Sequence, residues 1–302
     1  MTDEIKVSVI CLAYNHEGYI RDALEGFVSQ KTNFKFEVLI HDDASTDATA
    51  DIIREYEAKY PDLIRPVYQT ENQYSQGIAF CEKYLYPMMR GQYMAWCEGD
   101  DFWCDPYKLQ KQYDYLESHP DCNICVSRAV FADHDTGRCT IRPKQAMGRT
   151  YTTEEVIMLG GLFCATATFM IRRDIYEAMP ECFDTKYFGD WQILIYGSMG
   201  GGCYCFQDAT AVYNNKRSGS YTERTWKDAE FRNTINEEAL HMFERVNAYY
   251  GYKYDAAIQN RIRHYRYRVL KNQGRLDEIQ GDEYAEYRIL DMMKQRMKRL
   301  KK

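Results

Sequence analysis

Two hydrophobic patterns alternate along the first third of the chain, and that alternation restricts the fold more than any other feature. Val7-Ser8-Val9-Ile10-Cys11-Leu12, Phe36-Glu37-Val38-Leu39-Ile40, Ile64 to Tyr68 and Tyr93 to Cys97 are short apolar runs of strand length. Between them, Tyr19 to Gln30 carries Ile20, Ala23, Leu24, Phe27 and Val28 at helical spacing. Ala50 to Tyr60 reads as a second helix closed by Pro61, and Ala79 to Met89 as a third. Strands and helices in alternation, joined by short connections, imply a parallel sheet covered by helices on both faces. Ligands of such sheets lie beyond the carboxyl ends of the strands. Tyr14, Asp43 and the pair Asp100 and Asp101 each fall just past such an end, so one cleft is expected to collect them.

The fourth apolar run stops abruptly in Glu98-Gly99-Asp100-Asp101, flanked by Trp96, Phe102 and Trp103. Neighbouring carboxylates raise each other's pKa, and apolar surroundings make unpaired charge costly. A divalent cation relieves both problems. Oxygen-only ligands that leave coordination positions open suit Mg²⁺ or Mn²⁺ bridging to phosphate oxygens, so the segment reads as a metal–diphosphate site. Gly99 lets the backbone turn tightly there.

Two loops earlier in the chain fit the same ligand. Ala13-Tyr14-Asn15 follows the first strand, where the Tyr14 ring can offer its face to a nucleobase. In Asp42-Asp43-Ala44-Ser45-Thr46-Asp47 the last three residues suffice to cap the following helix. That leaves one acid, taken as Asp43, to accept a hydrogen bond from a base imide N–H such as uracil or thymine offers.

The second half is less regular. Cys122 to Phe131 and Thr166 to Ile171 read as strands, and Trp191 to Met199 as an apolar helix after Gly189-Asp190. Asp190 fits an N-cap whose carboxylate the helix dipole keeps ionised, and an ionised acid at a cleft is also what a general base must be. Asn214-Asn215-Lys216-Arg217-Ser218-Gly219-Ser220 reads as a polar, basic loop whose Lys216 or Arg217 is placed to neutralise a departing diphosphate. Beyond it the pattern turns helical and highly charged, so the expected division is 1–220 and 221–302. Tyr287 to Lys302 sets Leu290, Met293, Met297 and Leu300 at helical spacing among Lys294, Arg296, Lys298, Arg299, Lys301 and Lys302. Such a tail reads either as a solvated helix end or as a basic amphipathic helix on anionic lipid.

A formal net charge of -6 argues against nucleic acid as the main partner, because phosphate-backbone binding needs a basic surface. No apolar run has the length of a bilayer span, and Met1-Thr2-Asp3-Glu4 is too acidic for a signal peptide; a cytoplasmic protein, or one peripheral to a membrane, is expected. Eleven cysteines, several inside apolar runs, then read as free thiols of a reducing compartment. One CxxC exists, Cys122-Asn123-Ile124-Cys125, whereas structural zinc sites normally show two well-spaced pairs. The turn after the first strand reads Tyr14-Asn15-His16-Glu17-Gly18, not G-x-G-x-x-G, which argues against a dinucleotide-dependent oxidoreductase.

From Val7 to about Ser220 the chain resembles the family 2 glycosyltransferases. The motifs are Val7-Ser8-Val9-Ile10 leading to Ala13-Tyr14-Asn15, then Asp42 to Asp47, Glu98-Gly99-Asp100-Asp101 and Gly189-Asp190-Trp191. The resemblance implies the GT-A fold, a Rossmann-like, mostly parallel sheet flanked by helices, here with a C-terminal helical extension. It implies that Tyr14 stacks on the base and Asp43 meets the imide, with Ala13, Asn15 and Arg217 completing the nucleotide site. Asp100 and Asp101 would serve the ribose–diphosphate and an Mn²⁺ or Mg²⁺ ion, Asp101 as the direct ligand, and Asp190 would be the base. The expected reaction moves a sugar from a nucleotide-diphosphate sugar, a UDP-sugar first, to a saccharide or lipid-linked acceptor with inversion, in polysaccharide or glycoconjugate assembly. A nucleotide-sugar-binding protein without turnover is the alternative, and the acid at Asp190 argues against it. Ala13 stands where the family often has proline, and the Gln-x-x-Arg-Trp motif of processive synthases is missing after Asp190, so a single transfer is expected.

Overall fold

The computed structural model describes residues 4–79, 81–134, 136–144, 148–161, 163–185, 187, 189–215, 221–279 and 281–300. The chain divides into two compact units, residues 1–179 with 193–217, and residues 180–192 with 218–302.

The first unit begins with β1 (Ile5–Ala13), α1 (Ile20–Val28), β2 (Lys35–Asp42), α2 (Thr49–Lys59), β3 (Ile64–Tyr68) and β4 (Tyr93–Trp96). It continues through β5 (Phe102–Trp103), α3 (Lys108–Ser118), β6 (Ile124–Asp133), β7 (Arg138–Arg142), β8 (Arg149–Tyr151), α4 (Thr153–Leu159), β9 (Met170–Arg172) and α5 (Arg173–Glu177). Helix α6 (Gly189–Ser198) and the long strand β10 (Cys203–Asn215) follow, with Gly189 to Gln192 grouping with the second unit.

The strands form one sheet in the order β3-β2-β1-β4-β9-β6-β10-β5, with β7 added to β6 and β8 to β10. The block β3-β2-β1-β4 is parallel, as the alternation predicts. Beyond it the sheet is mixed. Strand β9 runs antiparallel to both β4 and β6, while β6 and β10 are parallel. The chain moves outward from β1 to β3 and then returns to the other side of β1 for β4. Strand order therefore reverses at β1, which places the ligand crevice at the carboxyl ends of β1 and β4.

Helix α1 shows why the pattern folds this way. Ile20, Ala23, Leu24 and Phe27 form one stripe, and all four are buried against core residues that include Val9, Val38, Ile53 and Trp103. Burial of a large aliphatic or aromatic side chain contributes about 1.5–3 kcal/mol. Gly26 on the same helix allows the closest approach: a Cβ there would lie 2.9 Å from the backbone N and O of Trp103.

Two expected elements differ. The helix expected over 79–89 is instead a single wide turn at Cys81–Leu85 followed by a 3-10 turn at Tyr86–Met88. Pro87 lacks the N–H that a regular helix needs and its ring clashes with the preceding turn. The strand expected over 166–171 shrinks to β9, because Thr166–Thr168 form a 3-10 turn in which both the N–H and the hydroxyl of Thr168 donate to the carbonyl of Ala165.

The second unit consists of Pro180–Gln192 with α7 (Tyr221–Lys227), α8 (Ala229–Tyr249), α9 (Asp255–Asn272) and α10 (Ala285–Leu300). Trp191 is fully buried in it, edge-on to Phe243 with ring centroids 4.9 Å apart and beneath the guanidinium of Arg261.

Candidate active site

Backbone bonds set the floor of the crevice. The N–H of Asp43 donates to the carbonyl of Ala13 at 2.9 Å, and on the other side of β1 the N–H of Gly99 donates to the carbonyl of Leu12 at 2.8 Å. Parallel pairing thus continues one step past each strand and draws three loops together: Tyr14 to Tyr19, Asp43 to Ala48, and Glu98 to Asp101. Gly99 is closely surrounded by side chains. A Cβ there would lie 2.8 Å from Ile20 Cδ1 and 3.0 Å from His16 Nδ1.

The first two loops are laced by side chains. The N–H of Asn15 donates to Ser45 Oγ at 3.0 Å, and the N–H of Thr46 returns a bond to Asn15 Oδ1 at 2.8 Å. His16 N–H donates to Thr49 Oγ1, Glu17 N–H to Asp47 Oδ2, and Ala48 N–H to Glu17 Oε2. Asn15 and Ala44 both adopt left-handed backbone, with φ of 54° and 62°. For alanine this conformation is strained, and strain of this kind collects at binding loops. Only Asp47 performs the helix-start role expected of Ser45, Thr46 and Asp47, through a bond from the N–H of Thr49. Ser45 and Thr46 are occupied by Asn15.

Tyr14 projects from this loop with 44% of its surface exposed. Asp43 is buried, and its two carboxylate oxygens accept the N–H groups of Gln73 at 2.6 Å and Tyr74 at 3.0 Å. Each oxygen keeps a second acceptor direction. The acid with an open oxygen is its neighbour: among the described residues no donor reaches Oδ1 of buried Asp42. Burial raises the pKa of Asp42, and hydrogen bonds from Ser45 only partly oppose it.

The acidic turn is closed by the N–H of Asp101 donating to the carbonyl of Glu98 at 3.0 Å. Strand β5 follows at once and pairs antiparallel with β10, Ala211 opposite Trp103 and Val212 opposite Phe102. That pairing carries Asn214 alongside the turn. Its N–H donates to Asp101 Oδ1 at 2.8 Å and its side-chain amide donates to the carbonyl of Asp100 at 2.6 Å. His134, after β6, donates from Nε2 to Asn214 Oδ1 at 2.9 Å, and its ring meets the edge of Tyr19. Asn214 and His134 were not legible as site residues. Asn214 and Asn215 close strand β10 and do not open the polar loop expected from Asn214 to Ser220, since β6 holds them at Ala132 and Asp133. Lys216 and Arg217, expected to meet the diphosphate, lie outside the described residues.

Beneath the turn, Trp103 donates its indole N–H to the carbonyl of Ala167. Lys108 Nζ sits 4.4 Å from the centre of the Trp103 ring and donates to Gln112 Oε1 at 2.7 Å. This amine is completely buried, which pushes its pKa down to about 8.

Asp101 is only 2% exposed, a carboxylate that Asn214 holds at a crevice edge. The donor set is all oxygen, which fits a hard divalent ion. Among the described residues no group of three His, Cys, Asp or Glu side chains forms a cage. An ion of the Mg²⁺ type commonly takes one or two carboxylates and completes its shell with phosphate oxygens and water, so Asp101 with Asp100 suits that pattern. The cysteines of the CxxC are buried free thiols, with Cys122 Sγ directed at the carbonyls of Ile124 and Gly202.

In the second unit, Asp190 lies in the first turn of α6 and accepts the N–H of Trp191 on Oδ1 at 2.7 Å. The acid is still mainly ionised at neutral pH, but its pKa is raised and not held down by the helix end. Burial dominates, and the bonds from the Trp191 and Asp190 N–H groups only partly offset it, leaving the carboxyl pushed up to about 6.

The mixed sheet with its strand-order reversal beside an acidic turn has the architecture of the GT-A class, as solved structures of that class show. S. aureus TarS residues 1–349, in complex with UDP-GlcNAc, superposes with a TM-score of 0.62 at 18% identity, over 88% of this chain and 73% of that one. The mannosyltransferase PcManGT of Pyrobaculum calidifontis, in complex with GDP-Man and Mn²⁺, gives 0.58 at 15% identity, over 97% and 81%. Residues 8–179 match the sequence model of Glycosyl transferase family 2, and the chain belongs to that family. The uncharacterized protein Rv1520 of Mycobacterium tuberculosis is 36% identical over 223 residues, 72% of this chain. The chain spans about three fifths of that relative's length, 62%.

Proposed function

We propose that this chain is an inverting glycosyltransferase that uses a UDP-sugar and a single acceptor hydroxyl. The observation that carries this reading is the Glu98–Asp101 turn, fixed by Asn214 at the point where strand order reverses, beside Tyr14 and Asp43. The Tyr14 ring stacks on the base, and Asp43 uses its remaining acceptor direction for the single imide N–H of uracil. Ala13 and Asn15 shape the loop beneath the base. Asp100 faces the ribose–diphosphate, and Asp101 with Asp100 holds an Mn²⁺ or Mg²⁺ ion. Such an ion, when bound, offsets the negative charge that builds on the leaving diphosphate. Arg217 adds to that charge compensation.

Asp190 takes the proton of the acceptor hydroxyl as its oxygen attacks the anomeric carbon from the face opposite the diphosphate. One carbon–oxygen bond forms, the anomeric carbon–diphosphate bond breaks, and the electron pair leaves with UDP. A carboxyl near pKa 6 is ionised at neutral pH yet basic enough to accept a proton in the transition state. The proposed setting is assembly of a surface polysaccharide or glycoconjugate on a saccharide or lipid-linked acceptor, in the cytoplasm and peripheral to the inner membrane face. The GT-A neighbours bound to UDP-GlcNAc and to GDP-Man with Mn²⁺ support a nucleotide-sugar donor.

The test is thermal unfolding with UDP-, GDP- and dTDP-sugars, each with Mg²⁺, Mn²⁺ or chelator. A UDP-sugar at a hundred times its dissociation constant adds about 2.7 kcal/mol of stability, and chelator diminishes the gain. A response to GDP-sugars alone would replace the assigned base. Silence from every nucleotide sugar would overturn the proposal.

A further inference from the structure

Helix α10 is docked the wrong way round for a helix of a water-soluble unit. An amphipathic helix normally turns its apolar stripe to the core and its polar face to water. Here the anchored side is formed by Tyr287, Arg288 and Asp291. Tyr287 stacks on Tyr267 with ring centroids 5.3 Å apart, within a small cluster that includes Ile279, Tyr284 and Leu270. Asp291 accepts from the hydroxyl of Tyr267 at 2.8 Å and from Lys271, and Arg288 donates to the carbonyl of Gly281 at 2.9 Å. The apolar side points the other way. Ile289, Leu290, Met292, Met293 and Met297 are between 52% and 62% exposed. They recur at a spacing of three and four residues and so lie on one face.

The charge of the same segment selects what covers that face. From residue 285 to 302 the sequence has seven basic residues, Arg288, Lys294, Arg296, Lys298, Arg299, Lys301 and Lys302, against two acids, Glu286 and Asp291. This is a strongly basic stretch in a chain whose net charge is -6. A second copy of the chain would bring two such basic segments together, which like-charge repulsion opposes. An anionic bilayer suits both properties of the segment: its acyl boundary takes the exposed methionines, leucine and isoleucine, and its headgroups attract the net positive charge that the sequence concentrates here.

We infer that the α10 face built from Ile289, Leu290, Met292, Met293 and Met297 docks on anionic lipid and seats the enzyme on a membrane surface. This deepens the peripheral location proposed above and rests on that reading for its purpose, though not for the binding itself.

The experiment is co-sedimentation of the full chain with phosphatidylcholine vesicles and with vesicles of equal parts phosphatidylcholine and phosphatidylglycerol. Binding is expected to the anionic vesicles only, and to fall with added salt. The double substitution Leu290→Glu with Met293→Glu is expected to lower partitioning by about a hundredfold or more. Arg296→Ala is expected to lower it roughly fivefold, the share of one basic side chain at an anionic surface. All three positions are exposed, so the variants should fold, and an unchanged thermal midpoint verifies it. Equal binding to neutral vesicles, no binding to either kind, or full binding by the double variant would overturn the inference. So would a dimer in sedimentation velocity that the double variant dissociates, because the face would then belong to a second copy. Donor-induced thermal shifts, measured on the same variants without lipid, keep a failure here distinct from a failure of the glycosyltransferase reading.

Discussion

Helices α1 and α10 carry the same apolar spacing and meet opposite fates. In α1 the stripe Ile20, Ala23, Leu24 and Phe27 disappears into the core, while in α10 Leu290, Met293 and Met297 stay more than half exposed and the polar side makes the contacts. Periodicity therefore reports that a helix has two faces. It does not report which face the protein keeps for itself. The two acids at the centre of the proposed chemistry differ in a parallel way. Asp101 is held from β10 by the N–H of Asn214, a residue more than a hundred positions away in sequence. Asp190 is bonded by the N–H groups of its own turn, its own and that of Trp191, and burial sets its behaviour.

The largest expected effect isolates the second acid. Asp190→Asn keeps an acceptor for the N–H of Trp191 and removes the base, so turnover should fall by roughly 10²–10⁴-fold. Because the folded-state pKa is raised to about 6 from an ordinary 3.8, Asp190 favours the folded state when protonated. That contribution is complete below about pH 4 and is lost as pH rises through 6. The asparagine variant should therefore be more stable than the parent at pH 7, by an amount on the order of 1–3 kcal/mol, with the gain vanishing at pH 4. In the parent enzyme the rate should decline below about pH 6. Wild-type turnover in the variant would remove Asp190 from the mechanism.

Next in size is a pair of substitutions that breaks or sharpens the contrast between the helices. Leu24→Ala in α1 should cost about 2–5 kcal/mol in denaturant unfolding, because it leaves a cavity in a packed core. Met293→Ala in α10 should change stability by no more than about 0.5 kcal/mol, the usual range for exposed positions. Equal losses at the two sites would mean that α10 packs its apolar side in solution. Between these extremes lies Gly26→Ala, whose added methyl meets the backbone of Trp103, two residues after Asp101. It should destabilise by about 1–3 kcal/mol and also weaken the donor-induced thermal shift.

Much of the crevice was legible in the sequence because its strands are continuous apolar runs that end in polar loops. β3 falls on the same residues the run indicated, Ile64 to Tyr68. Tyr14, Asp43, Asp100 and Asp101 come from loops that the parallel pairing of β1, β2 and β4 brings side by side. What stayed hidden depends on contacts distant in sequence. Nothing local to Asn214 or His134 announces that β10 pairs with both β5 and β6 and so delivers them to the acidic turn. The interruption at Pro87 was visible as a residue type, yet the apolar spacing around it suggested a helix. The apolar spacing and basic charge of α10 were legible and left two readings open, but which side docks was not, since the partner of Asp291 is Tyr267 on another helix.

The floor of the crevice is written in main-chain atoms: Asp43 to Ala13, Gly99 to Leu12 and Cys97 to Ile10 are all N–H to carbonyl bonds. Bonds of this kind survive almost any exchange of the side chains that carry them. Such a platform can drift widely in composition while its contour stays put, in keeping with a fold shared with TarS at 18% identity. New substrate preferences can then be tried out on the loops above without rebuilding the ground on which they stand.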